Sequence, residues 1–210
     1  MNQRFNTIGV NAIVLKYRIP SSTHQVNKSI APLQDAQQAI YLARTNANEW
    51  GIDANKIGVM GFSAGGHLAS TAATHYEDVK VTNPVNISYR PDFQILIYPV
   101  ISFASYGHKG SRDNLIGPVI SEDQVHYFSN EEHINKSAPP AFLVHAKDDE
   151  SVPVANSINY YKQLQENQVA SELYLFEKGG HGFGMKNKTS DIFWPKLMHE
   201  WLIKNDIINQ

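Results

Sequence analysis

Five residues constrain this chain more than any others: Gly61-Phe62-Ser63-Ala64-Gly65, set between an apolar run (Ile57-Gly58-Val59-Met60) and a helix-like run over 66–75. A G-x-S-x-G segment between strand and helix makes a sharp turn that lifts a serine hydroxyl above the end of a parallel sheet. Ser63 is thereby the candidate nucleophile. Gly61 and Gly65 are expected to leave room where the turn brings backbone close to its neighbours, a place where side-chain bulk would clash. The plainer alternative makes Ser63 an N-cap that satisfies free helix amides. That alternative predicts no histidine or acid partner further along the chain.

Such partners follow, in the order serine, acid, histidine. The acid lies in Pro140-Ala141-Phe142-Leu143-Val144-His145-Ala146-Lys147-Asp148-Asp149, an apolar strand ending in two aspartates ahead of Val152-Pro153 and a helical pattern. The histidine, His181, lies in Phe176-Glu177-Lys178-Gly179-Gly180-His181-Gly182-Phe183, a strand end that runs into a glycine-rich loop. Both groups leave the carboxyl ends of strands, the edge where open α/β sheets place their sites. A serine hydroxyl is a weak nucleophile at neutral pH and needs an imidazole to take its proton. A carboxylate then fixes the tautomer of that imidazole and stabilises the cation it becomes. Between the aspartates, Asp149 is favoured by its register before Val152-Pro153, with Asp148 as a loop or capping residue.

The other histidines have structural explanations. His67 reads as a packing or hydrogen-bonding residue, and His145 as buried and satisfied within its strand. His24, His75, His108, His126, His133 and His199 read as surface residues in polar or helical surroundings. None repeats at metal-ligand spacing with a cysteine or carboxylate, so neither a metal nor another cofactor is expected.

Beyond the elbow and the two partner segments stand Tyr17-Arg18 after an apolar run, Pro32-Leu33-Gln34-Asp35-Ala36, Trp50-Gly51-Ile52-Asp53 and Gly66-His67-Leu68-Ala69. Together these motifs resemble the α/β-hydrolase superfamily, and within it the acetylxylan-esterase-like carboxylesterases (BD-FAE-like), from about Gly9 to the C-terminus. The resemblance implies a three-layer α/β/α sandwich with a mostly parallel sheet. It implies a serine esterase that forms an acyl-enzyme on short acyl, notably acetyl, esters, including those of carbohydrates. The triad would be Ser63, Asp149 and His181, with the backbone amide of Ala64 as one oxyanion-hole donor. Relatives carry an earlier strand ending in a glycine-rich turn that supplies the second donor, and nothing here matches it. The expectation is therefore an N-terminally truncated form of the fold, in which residues 1–8 are the tail of a helix. One lost oxyanion donor costs roughly 10²- to 10³-fold in rate. A lost strand costs more, because three or four buried side chains at about 1.5 to 3 kcal/mol each approach the whole stability of a domain.

The remaining pattern agrees with that frame. Residues 10–17 read as a buried strand. Leu33, Ala36, Ile40, Ala43, Ala47 and Trp50 follow helical spacing after a proline that a first turn tolerates, with Gly51 closing the helix. Residues 93–98 and 173–176 are further strands. Ile158, Tyr161 and Leu164 mark one helix face, and a last helix opens near Pro195 with Leu197, Trp201 and Leu202 inward. Strands alternating with helices imply a parallel sheet covered on both faces. The polar, glycine-punctuated stretch at about 102–139 is either a cap over the site or an ordinary surface excursion within one domain spanning 1–210.

Composition narrows the function classes. With 210 residues, 18% of them charged, and a formal charge of −2, the chain lacks the basic footprint of a nucleic-acid partner and has no apolar run long enough to span a bilayer. The expected partner is a small-molecule or carbohydrate ester; a homo-oligomer is compatible with the sequence. There is no cysteine, which excludes disulfides and thiol catalysis. The chain carries no signal peptide, which reads as cytoplasmic as it stands and as secreted or periplasmic if an upstream segment belongs to it. Two rival functions stay open here: a serine peptidase of the prolyl-oligopeptidase type, and a non-catalytic hydrolase-fold protein or inactive fragment that acts by binding.

Overall fold

Four short apolar segments become strands because each can pair on at least one side and bury alternate residues against helices. In the computed structural model, which describes residues 5–209, these are β1 (Gly58–Phe62), β2 (Phe93–Ile97), β3 (Ala141–Ala146) and β4 (Ser171–Phe176). All neighbours are parallel and the spatial order is β1-β2-β3-β4, with Gly58 opposite Phe93, Gln94 opposite Ala141 and Ala141 opposite Ser171. The helices are α1 (Ala31–Thr45), α2 (Ala47–Trp50), α3 (Ala64–Thr74), α4 (Lys109–Ile116), α5 (Glu122–Phe128), α6 (Ala155–Glu166) and α7 (Trp194–Lys204).

Side chains alternate across the sheet with period two, so each strand feeds two cores. Ile95, Ile97, Phe142 and Val144 pack on one face with Trp194, Met198, Trp201 and Leu202 of α7. Leu96, Ala141 and Leu143 pack on the other with Ala69 of α3 and with Tyr160 and Leu164 of α6. Outside α3 lies α1, joined to it through Leu33, Ala36 and Ala72. The architecture is the three-layer α/β/α sandwich with a parallel sheet.

Several local expectations need correction. Residues 10–17 do not join the sheet: Ile13 and Val14 are 69% and 72% exposed, and the run has no regular structure. An apolar run becomes a strand only where another strand offers it a ladder, and among the described residues none lies beside it. Its end is nevertheless tied down, since Arg18 donates from its backbone amide and guanidinium to the Asp35 carboxylate of α1. The helix expected through Trp50 breaks at Asn46, whose side-chain amide bonds back to Leu42 O in competition with the backbone. Trp50 consequently turns outward. On α6 the inward positions are Asn156, Ser157, Tyr160 and Leu164, with Ile158 exposed. His75 is buried rather than on the surface, 4.4 Å from the Tyr127 ring. Of the expected helical tail at 1–8, Met1 to Arg4 lie outside the described residues; Phe5 and Asn6 are helical.

The stretch 102–139 folds into α4, α5 and a short 3₁₀ turn (Asn130–His133), with a cluster of its own formed by Val100, Phe103, Leu115, Ile116, Phe128 and Val152. It is locked to α3 by buried polar contacts. The Asn130 amide donates to Ser70 Oγ and Thr71 Oγ1, and the His67 ring stacks flat on Phe103 at 4.4 Å while its Nε2 meets Phe128 O at 2.9 Å.

Candidate active site

The turn from β1 into α3 forces Ser63 to φ 51° and ψ −121°, a conformation a non-glycine residue adopts only under constraint. The constraint comes from β2. Ser63 N donates to Ile97 O at 3.1 Å, and Val100 N donates to Ser63 O at 3.1 Å, so the elbow is pinned to the end of β2 and to the segment that follows it. Gly61 is required for space, because a Cβ there would lie 2.0 Å from Gly65 O. Gly65 is not, since a Cβ there meets nothing within 4 Å. The other crowded glycine of the turn is Gly66, where a Cβ would lie 2.6 Å from the Pro99 Cβ. The Ser63 side chain does not cap α3.

That hydroxyl instead lies 2.8 Å from His181 Nε2, and His181 Nδ1 lies 2.6 Å from Asp149 Oδ2. The three side chains come from the loops after β1, β3 and β4, so parallel pairing alone brings their roots to one edge. Asp149 is fully enclosed, and His181 keeps about a quarter of its side chain exposed (23%). The loop carrying His181 is held from two sides. Gly180 N donates to Asp148 Oδ1 at 2.8 Å, and Gly184 N donates to Tyr98 OH at 3.1 Å. Gly180, Gly182 and Gly184 all have positive φ, the backbone freedom that lets the loop fold back over the sheet edge. Of the two aspartates, then, Asp149 meets the imidazole and Asp148 anchors the loop.

Electrostatics at the site follow from the donors. Burial pushes the Asp149 carboxyl up, but hydrogen bonds from His145, the Val152 amide and His181 outweigh it and hold the group down at about 2. His67 goes the other way for a cation: burial lowers it to about 4, with only the Phe128 carbonyl opposing. Ala64 is the first residue of α3, and its amide belongs to the helix-start donors that have no intrahelical acceptor. Among the described residues no group of three or more His, Cys, Asp and Glu could hold a metal ion. No described helix is long and apolar enough to cross a membrane.

Two contacts escaped the sequence. Tyr98, at φ 37° just past β2, sets its ring edge-on to the His181 imidazole at 4.9 Å and also packs on Phe183. His145 reaches Asp149 as well as its expected core partners. The one available signal was spacing: Tyr98-Pro99 directly follows a strand, and His145 stands four residues before Asp149.

Comparison with known proteins points the same way. The BD-FAE family model matches residues 1–164. Endo-1,4-beta-xylanase B of Butyrivibrio fibrisolvens is 38% identical over 87% of this chain and 29% of its own length. The acetylxylan esterase of Xylanibacter ruminicola is 34% identical over 85% of this chain and 35% of its own. The chain thus spans about a third of these curated relatives. Among solved structures, an acetyl ester-xyloside bifunctional hydrolase from Caldicellulosiruptor lactoaceticus superposes with a TM-score of 0.91 at 40% identity, covering 99% of this chain and 76% of that one.

Proposed function

This chain belongs to the BD-FAE family, and on that premise we propose that it is a serine carboxylic ester hydrolase acting through an acyl-enzyme on short acyl esters, acetyl esters of carbohydrates foremost. The observation that carries the proposal is the continuous relay from Ser63 Oγ to His181 Nε2 at 2.8 Å and from His181 Nδ1 to Asp149 Oδ2 at 2.6 Å. With Asp149 ionised and accepting at Nδ1, the imidazole presents an unprotonated Nε2 to the serine, the tautomer a general base needs. Ser63 Oγ attacks the ester carbonyl carbon as its proton passes to His181 Nε2. The Ala64 amide faces the oxyanion that forms. As the tetrahedral species collapses, the carbon–oxygen bond to the alcohol breaks and His181 returns the proton to the leaving oxygen. Water then repeats the sequence on the acyl-Ser63 ester and releases the carboxylic acid.

Acetyl and carbohydrate specificity draws its support from the relatives, one named an acetylxylan esterase and another an acetyl ester-xyloside hydrolase. Ser63→Ala is expected to abolish turnover of p-nitrophenyl acetate and of acetylated xylo-oligosaccharides in a protein with an unchanged circular dichroism spectrum. Turnover unaffected by that substitution would refute the assignment.

A further inference from the structure

His145 takes no part in the acyl-transfer scheme, yet it touches the acid of the relay. It is wholly buried in β3. Its Nε2 lies 3.2 Å from Asp149 Oδ2 and 3.0 Å from Val152 O, and its Nδ1 lies 2.8 Å from Ser157 Oγ on α6. Both partners of Nε2 are acceptors, so Nε2 carries a hydrogen. Asp149 Oδ1 is filled by the amides of Ser151 and Val152, at 3.0 and 2.8 Å. Oδ2 receives His181 Nδ1, and among the described residues the other side-chain donor on that oxygen is His145.

A carboxylate turns about its last torsion in a broad, roughly two-fold well, so two amides on one oxygen leave the other free to swing. Orientation of the general base depends on where Oδ2 sits. We infer that His145 is a positioning residue of the site: it shares Asp149 Oδ2 with His181 and holds that oxygen in place, and Ser157 fixes the ring that does so. The inference rests on the acyl-transfer reading above. Packing alone would be met by an apolar residue of similar size, without three polar contacts to satisfy in a closed core.

The test compares His145→Leu, which keeps bulk and loses the donor, with His145→Gln, whose side-chain amide nitrogen can stand near the position of Nε2. With p-nitrophenyl acetate, His145→Leu is expected to lower kcat by about 10- to 100-fold with KM nearly unchanged, the size of effect that displacing a base by a fraction of its bond length produces. His145→Gln should recover most of that loss. A second readout needs no turnover: the downfield proton resonance of the His181 Nδ1–H bond should shift or broaden in the leucine variant and return in the glutamine variant. A folded His145→Leu with wild-type kcat and an unmoved resonance overturns the inference, as does equal loss in both variants, which would mark a packing role. Should His145→Leu fail to fold, Ser157→Ala carries the test, with an expected kcat loss of about 3- to 10-fold for one hydrogen bond removed from the ring; no change there overturns the inference too. A wild-type chain without Ser63-dependent turnover would remove the acyl-transfer reading, while the resonance would still report whether His145 holds Asp149 against His181.

Discussion

Two apolar runs of this chain have opposite fates. Residues 10–17, Val-Asn-Ala-Ile-Val-Leu-Lys-Tyr, have no regular structure and are mostly exposed, with Val10 and Ala12 partly packed on the core, whereas β3, Ala-Phe-Leu-Val-His-Ala, is completely buried between β2 and β4. By composition alone the first is the better strand former, with more β-branched residues. What separates them is the supply of ladder partners: β3 pairs on both edges, while residues 10–17 pair with no described strand, and β1, at the margin of the sheet, pairs on one edge and is only partly covered. The nucleophile candidate leaves that partly covered edge strand, its acid partner leaves the closed strand β3, and the histidine leaves β4, the partly covered edge on the other side. The elbow keeps its shape because β2 holds the Ser63 amide through Ile97 O and the segment after β2 holds the Ser63 carbonyl through Val100 N.

The two regions should respond differently to substitution. On the closed side, Asp149→Asn should lower kcat for p-nitrophenyl acetate about 10⁴-fold with little change in KM, the scale set by losing the tautomer-fixing carboxylate; a loss below tenfold would mean that the geometry there is not used. Trp201→Ala, which empties the fully buried contact between α7 and Phe142, should cost about 3 to 5 kcal/mol of unfolding free energy, read as a lower denaturant midpoint at constant slope. Acid should loosen the junction of α3 with the 102–139 segment before it reaches Asp149. His67 is held at about 4 by burial, and His75 at about 4 by burial and the neighbouring His133, both below the ordinary 6.5. Each therefore contributes stability fully above pH 6.5 that is lost as pH falls towards 4, up to about 3 kcal/mol apiece. Asp149, ordinarily at 3.8, adds stability above that value that is lost only as pH falls through about 2. Midpoints measured at pH 7, 5 and 4 would show whether the loss begins where the histidines require. The smallest effect belongs to the open run, where Val14→Ser should change stability by no more than about 0.5 kcal/mol. A cost of 2 kcal/mol or more there would show that something covers residues 10–17 in solution.

Much of this molecule was legible beforehand, and the limits have physical causes. The strands around 57–60, 93–98, 140–146 and 173–176 carry signals of period and punctuation that are local, and the structure forms all four. The elbow is local too, since glycine spacing and the strand-to-helix junction sit within ten residues. Hidden were features that depend on what approaches from elsewhere. His145 looks like any core histidine until Asp149 curls back four residues later, and Tyr98 like any strand-end aromatic until the His181 loop descends on it. Gly65 and Gly66 exchanged roles because the crowding residue is Pro99, from the segment after β2, more than thirty residues further along the chain.

Chain order and residue type decided by themselves that a serine, an acid and a histidine would each follow a parallel strand, because those signals lie within short stretches of backbone. Register before Val152-Pro153 already favoured Asp149 as the acid; only the folded chain decided that Asp148 anchors the His181 loop, that residues 10–17 stay outside the sheet, and that His145 backs the carboxylate. Each of these depends on distances between segments far apart in sequence, set by how strands pair and which side chains the closed core must satisfy.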